Sequence, residues 1–294
     1  MGAADVVPGV SGGTMALILG IYQRLLVAIR SFDLALLRLL AARRFRDAAE
    51  HTDIVFLIPL GAGILGAILF FTRIVSLPLL VRDHPEQIYG LFFGLIVGSI
   101  VVLLRMLGPM RLRDMASLAA GTMIGLVIVT VVPFETPEDA WFIFLSGALA
   151  ICAMILPGIS GSFILLLLRK YEYVLNGVGH FDVAVILPFA LGAVGGLMLF
   201  SRLLVWMLKH HYRVTLTTII GMLVGSLWVL WPFQARDYDL IRGKQQLVHS
   251  TPIWPAELGS GEALAVALGV IGIVAVVTID MLARRKPAPG HGLP

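Results

Sequence analysis

Two short phrases, 149 residues apart, hold the groups best suited to chemistry in this chain: Pro8-Gly9-Val10-Ser11-Gly12-Gly13-Thr14 and Pro157-Gly158-Ile159-Ser160-Gly161-Ser162. Each interrupts an apolar stretch. Proline removes a backbone donor and clashes with the preceding turn, so a helix reaching it breaks. The glycines permit a sharp reversal, and serine can cap a new helix. Each phrase therefore predicts a half-helix, a break and a second half-helix. A helix starting just after Ser-Gly aims unpaired N–H groups and the positive end of its dipole at the break, a setting that suits an anion. The hydroxyls of Ser11, Thr14, Ser160 and Ser162 add donors. The competing reading is a kink that serves packing alone.

Arg73 and Arg202 form a second matched pair, inside apolar runs, where a charge is costly unless it is paired or faces a cavity. A guanidinium offers a fork that fits a phosphate. Snorkelling toward the interface would also account for them. Asp5, three residues before the first proline, is a candidate for proton coupling, because a carboxyl in a low dielectric holds its proton more tightly. Asp53 and Asp182 are expected to cap helices, and Asp280 to meet headgroups beside Arg284. His84, His210 and His211 are expected in solvated loops, and Tyr22 and Tyr171 at the rim of a site or in an aromatic belt. The single Cys152 excludes an internal disulfide, and no Cys/His cluster has metal-ligand spacing. No metal, cofactor or catalytic residue is expected.

The elements that must position these groups are apolar helices. The chain has 294 residues, 59% hydrophobic and 14% charged, with a mean hydropathy of +0.94. That composition predicts a polytopic membrane protein, and nothing in its net charge of +4 points to nucleic acid. No cleavable signal is expected, because Met1 leads almost directly into the first broken helix. Runs long enough to span a bilayer occupy 54–80, 88–107, 116–133, 183–207, 214–232 and 262–283.

The halves also resemble each other beyond the two phrases. Asp53-Ile54 and Pro59 match Asp182-Val183 and Pro188, Phe71-Thr72-Arg73 matches Phe200-Ser201-Arg202, and Gly94 with Val97-Gly98-Ser99 matches Gly221 with Val224-Gly225-Ser226. Three spans separate the two breaks, so the second should enter from the opposite face. Arg38, Arg43, Arg44, Arg46, Arg105, Arg111, Arg113, Lys209, Arg213 and Arg284-Arg285-Lys286 fall on one side, which places both termini in the cytoplasm. Arg169-Lys170 falls on the other side. Gly94/Gly98, Gly121/Gly125 and Gly221/Gly225 are expected to let helices approach closely within one protomer. The expected fold is thus an all-α, inverted-topology repeat in which each half is a broken re-entrant helical hairpin plus three transmembrane helices. Residues 1–134 would hold a hairpin (1–30), an amphipathic interfacial helix (32–51) and three spans. Residues 135–294 would hold a hairpin (140–178), three spans and a cytoplasmic tail.

The stretch Ala3 to Thr14 with Leu19-Gly20-Ile21-Tyr22, and Leu156 to Ser162 with Lys170-Tyr171-Glu172-Tyr173, resembles the PopT family of polyprenyl-phosphate translocases over nearly the whole chain. Asp5 stands where that family commonly has Asn, and Arg169 where it has Gly. The resemblance implies a flippase of the bacterial cytoplasmic membrane that returns undecaprenyl phosphate to the inner leaflet for reuse in envelope synthesis, with the bilayer and the polyprenyl phosphate lipid as partners. Whether it forms a homo-oligomer is left open. Two other chemistries remain in view. Membrane lipid pyrophosphate phosphatases also carry inverted repeats and a Pro-Gly-x-Ser loop, but with an Arg directly after the Ser, where this chain has Gly12 and Gly161. The near glutamates, Glu135 and Glu138, lie in a loop, which leaves the serines without a general base. A transporter of a small soluble anion would use the same anion site.

Overall fold

A computed structural model describes residues 1–5, 11–75, 77, 80, 83–131, 136–241, 244–255 and 259–285. Pro8, Gly9, Glu135 and Lys286 lie outside the described residues. In chain order the elements are α1 (Gly2–Asp5), α2 (Gly12–Ile18), α3 (Tyr22–Arg30), α4 (Leu34–Ala41), α5 (Phe45–His51), α6 (Ile54–Leu69, continued by a π-helical turn at Phe70–Ile74), α7 (Pro85–Leu107) and α8 (Leu112–Thr130). Then follow α9 (Ala140–Ile155), α10 (Gly161–Leu167), α11 (Tyr171–Gly179), α12 (Val183–His210), α13 (Tyr212–Leu230), an antiparallel pair β1 (Gln234–Ile241) and β2 (Lys244–Pro252), and α14 (Ser260–Arg285). Among the described residues, six helices are long and apolar enough to cross a membrane: α6 with its π turn, α7, α8, α12, α13 and α14. The chain is a helical multi-pass membrane protein. Helix starts recur at fixed offsets: Gly12 and Gly161, like Tyr22 and Tyr171, stand 149 residues apart, and Ile54 and Val183 stand 129 apart.

The chain divides into two compact units, Met1–Leu79 with Arg111–Ser226, and Leu80–Met110 with Leu227–Pro294. In the second unit, α7 lies along α14 with backbones in contact, and a Cβ on Gly94 would collide with the Gly269 carbonyl. In the first unit, α8 and α13 do the same through Gly121, whose Cβ would meet the Thr218 carbonyl, and through Gly221 against Leu118. The expected close-packing role of these glycines is thus what the structure displays. Gly94→Val should force α7 and α14 apart at a cost of about 1–3 kcal/mol or more. A lowered unfolding temperature in detergent checks this; an unchanged one contradicts the packing.

Three expectations need correction. The stretch 32–51 is two helices, not one. After α4, Arg43 takes a left-handed conformation (φ 54°). Its N–H then bonds the Leu40 carbonyl at 3.0 Å, and the Arg44 N–H bonds the Leu39 carbonyl at 2.9 Å, closing the helix end. Asp182 caps α12 through the Ala184 N–H, but Asp53, at the N-cap position of α6, makes no side-chain capping bond. It is left-handed (φ 49°), and its carboxylate takes a bidentate contact from Arg24 at 2.7 and 3.0 Å, which holds its pKa below the usual carboxylate range. The antiparallel β1–β2 pair is a small addition to a fold that is otherwise helical, as expected. His210 and His211 are not in a loop: they form the last residue and the C-cap of α12.

Candidate functional site

The two breaks meet inside the first unit. A proline at 157 cannot donate, so the carbonyls at the end of α9 lose their helical partners. Groups from the first phrase replace them. Ser11 donates to the Met154 carbonyl at 3.2 Å, and Tyr22 donates to the Ile155 carbonyl at 3.2 Å. In return, Thr14 Oγ1 accepts the Gly158 N–H at 2.9 Å. Ser11 is 2% exposed and Thr14 fully buried. Around this seam, Ala16, Tyr22, Leu26, Ile155, Leu204 and Ile219 pack into one apolar cluster that ties α2 and α3 to α9, α12 and α13. Tyr22, expected at a rim or belt, is instead buried at the centre. Tyr22→Phe leaves the Ile155 carbonyl unpaired and should cost about 1–3 kcal/mol. Thermal unfolding checks this, and an unaltered midpoint would contradict the seam.

The amino ends of the two short helices differ. At α2, the Asp5 carboxylate accepts the Gly12 N–H at 2.7 Å, and Ser11 Oγ accepts the Gly13 N–H at 3.1 Å. The Thr14 and Met15 N–H groups turn back to the Ser11 carbonyl. This end is filled, with a carboxylate of the chain itself in the anion position. At α10, Ser160 makes no capping bond, and its hydroxyl meets that of Ser162 at 2.8 Å on an exposed surface. The N–H groups of Gly161, Ser162 and Phe163 find no acceptor among the described residues. Closely similar motifs therefore yield one closed donor set and one open one among the described residues.

Glycine at 158 is required by its backbone, with φ +90° and Leu223 Cα 3.2 Å from a Cβ placed there. Glycine at 161 is required by packing, because a Cβ would stand 2.6 Å from the Ala150 carbonyl. Gly12 and Gly13 are confined in the same way, by Asp5 and by the Ile155 carbonyl. Pro157 is buried between the halves of the second break.

The matched arginines lie in unlike settings. Arg73 is exposed on the π-helical turn, where the Val75 N–H bonds the Phe70 carbonyl at 3.1 Å. Arg202 lines a cavity of about 520 Å³ with Arg30, Asp33, Val205, Trp206, Lys209 and His210. Arg30 escaped the sequence reading, which took Lys209 for an orientation charge and His210 for a loop residue. The spacing of Arg202, Trp206 and Lys209 puts them on one helix face, but Arg30 comes from another helix. Lys170, on the unexpected side by charge counting, is 2% exposed. Its ammonium donates to the Thr136 carbonyl at 2.9 Å and lies 5.4 Å from the Tyr173 ring. It is therefore not a solvated loop charge of the kind that sets orientation.

A profile of undecaprenyl phosphate translocase-like proteins matches residues 1–247, both breaks included. The chain belongs to this family. A polyprenyl-phosphate transporter of Vibrio cholerae is 42% identical over 234 residues, 80% of this chain and 75% of that protein. One of Staphylococcus aureus is 31% identical over 251 residues, 79% and 83% of the two chains. No solved structure matches. For a translocase-like chain, the open donor set at α10 and the cationic cavity at Arg202 are the arrangements of interest, since both suit an anion. Among the described residues no group of three His, Cys, Asp or Glu side chains could hold a metal.

Proposed function

We propose that this protein moves polyprenyl phosphate, undecaprenyl phosphate in particular, between the leaflets of the bacterial cytoplasmic membrane, and that its second break receives the phosphate. One observation carries the reading: among the described residues the α10 amino end keeps N–H groups without an acceptor beside the Ser160 and Ser162 hydroxyls, whereas Asp5 fills the equivalent place at α2. A phosphate there would complete the donors that the break leaves open. Asp5 acts in this account as an internal competitor, released when it takes a proton. Gly12 and Gly13 shape the first break, and Arg73 and Arg202 contact the headgroup in opposite access states. Transport is preferred to hydrolysis because Ser160 and Ser162 bond each other and, among the described residues, no His or carboxylate that could act as base.

Inverted topology with both termini cytoplasmic belongs to the same proposal. Its support is the recurrence of helix starts 149 and 129 residues apart and the like pairing of α7 with α14 and α8 with α13 through glycine. Because α8 joins the first compact unit and α7 the second, the halves 1–134 and 135–294 are read as interleaved and not as separate domains. The test is reconstitution of the purified protein into liposomes that carry polyprenyl phosphate in one leaflet. Accelerated appearance of the lipid in the other leaflet, without release of inorganic phosphate, is expected. No acceleration over protein-free vesicles would overturn the reading.

A further inference from the structure

Three permanent cations converge where α3 and α12 end. Arg30 closes α3, and Arg202 and Lys209 project from α12 into the same cavity of about 520 Å³. Its size lies within the roughly 300–1,000 Å³ typical of small-ligand sites. None of the three is ion-paired among the described residues, whereas Arg24, Arg44, Arg46 and Arg213 each hold a carboxylate. Asp33, the one acid lining the cavity, is already engaged: it caps α4 through the Leu36 and Ala35 N–H groups and meets His51 at 3.2 Å. Those contacts hold its carboxyl below the usual range, so it stays ionised. His210, also in the lining, is committed on one side, since its Nδ1 must donate to the Trp206 carbonyl at 2.9 Å.

Helix dipoles favour cations at the last turns and so account for Arg30 and Lys209 separately. They do not account for Arg202, two turns farther from the α12 end, or for the convergence of all three. With Asp33 ionised the lining carries two net positive charges, the charge of a phosphate monoester dianion, whereas a phospholipid diester carries one negative charge. Val205 and the half-exposed Trp206 add apolar surface at the rim. Trp is a side chain that settles with its ring at the headgroup level.

We infer that this cavity is a docking site for the terminal phosphate monoester of a lipid, distinct from the donor set at α10, where the headgroup is held on one face before or after transfer. The inference rests on the transport reading for the identity of the lipid. Arg30 and Lys209 bind the monoester oxygens, Arg202 supplies a bidentate contact, and the first isoprene units lie against Trp206.

The test compares wild-type protein with Arg30→Gln/Lys209→Gln in nanodiscs, using farnesyl phosphate, inorganic phosphate and phosphatidylglycerol as separate probes. Farnesyl phosphate affinity should fall about tenfold or more in the variant. Phosphatidylglycerol association and the unfolding midpoint should not move, because both side chains are exposed. Lys209→Arg should restore most of the affinity. Equal farnesyl phosphate affinity in variant and wild type would overturn the inference while liposome transport continued to support the transporter. Inorganic phosphate binding as tightly as farnesyl phosphate would make this a free-anion site and would overturn the lipid assignment. Loss of both binding and leaflet exchange in the wild type would overturn both readings.

Discussion

Alanine at both Ser160 and Ser162 is expected to slow polyprenyl-phosphate exchange by about one to two orders of magnitude, with an unfolding midpoint close to that of the wild type. Among the described residues each hydroxyl bonds only the other, and neither caps α10. Removing them orphans no buried group, and surface changes of this kind move stability by only about ±0.5 kcal/mol. A hydrogen bond to a charged phosphate, by contrast, is worth about 1.5–3 kcal/mol, and each 1.4 kcal/mol is a factor of ten. Leaflet exchange in proteoliposomes, run beside a thermal melt, separates the two effects. Unchanged exchange would leave the backbone N–H groups alone as the phosphate site.

The opposite signature is expected at the first break. In Ser11→Ala/Thr14→Val, the Met154 carbonyl, the Gly13 N–H and the Gly158 N–H lose their partners in a buried seam. A buried polar group left unpaired costs about 1–3 kcal/mol. The combined loss approaches the 5–15 kcal/mol that is the whole stability of an ordinary domain. The protein should therefore fail to accumulate in folded form, and transport should vanish with it. Thr14→Ser alone keeps the acceptor for the Gly158 N–H and should fold as the wild type does. Normal yield and melting of the double variant, measured by size-exclusion chromatography in detergent, would show that the seam does not hold the breaks together.

Much of this arrangement was legible in the residues. Pro-Gly followed by Ser-Gly announces a broken helix through local stereochemistry, and the glycine pairs announce close helix contacts, because both depend on neighbours within a turn. The fate of each hydroxyl was not legible. Ser11 and Ser160 sit in nearly the same local phrase, yet one is buried and the other half exposed. The difference comes from Asp5, seven residues before Gly12, and from carbonyls more than 140 residues away. Arg43 shows the same limit: a helix end normally marked by glycine is here formed by an arginine in the left-handed region. Asp53 looked like a cap by position, but Arg24, on another helix, claims its carboxylate. The β1–β2 pair escaped a reading built on apolar spans, since its strands are largely polar and the connection between Ile241 and Lys244 is only two residues, Arg242-Gly243.

We propose that the transported phosphate is held at the second break and not at the first. A polyprenyl phosphate carrying a photoactivatable diazirine beside its phosphate, incubated with the reconstituted protein and irradiated, tests it most directly. Peptide mapping by mass spectrometry should place adducts within 156–168, and Ser160→Ala/Ser162→Ala should diminish them. Adducts confined to residues 11–20, or adducts in 156–168 that persist undiminished in the double variant, would contradict the account.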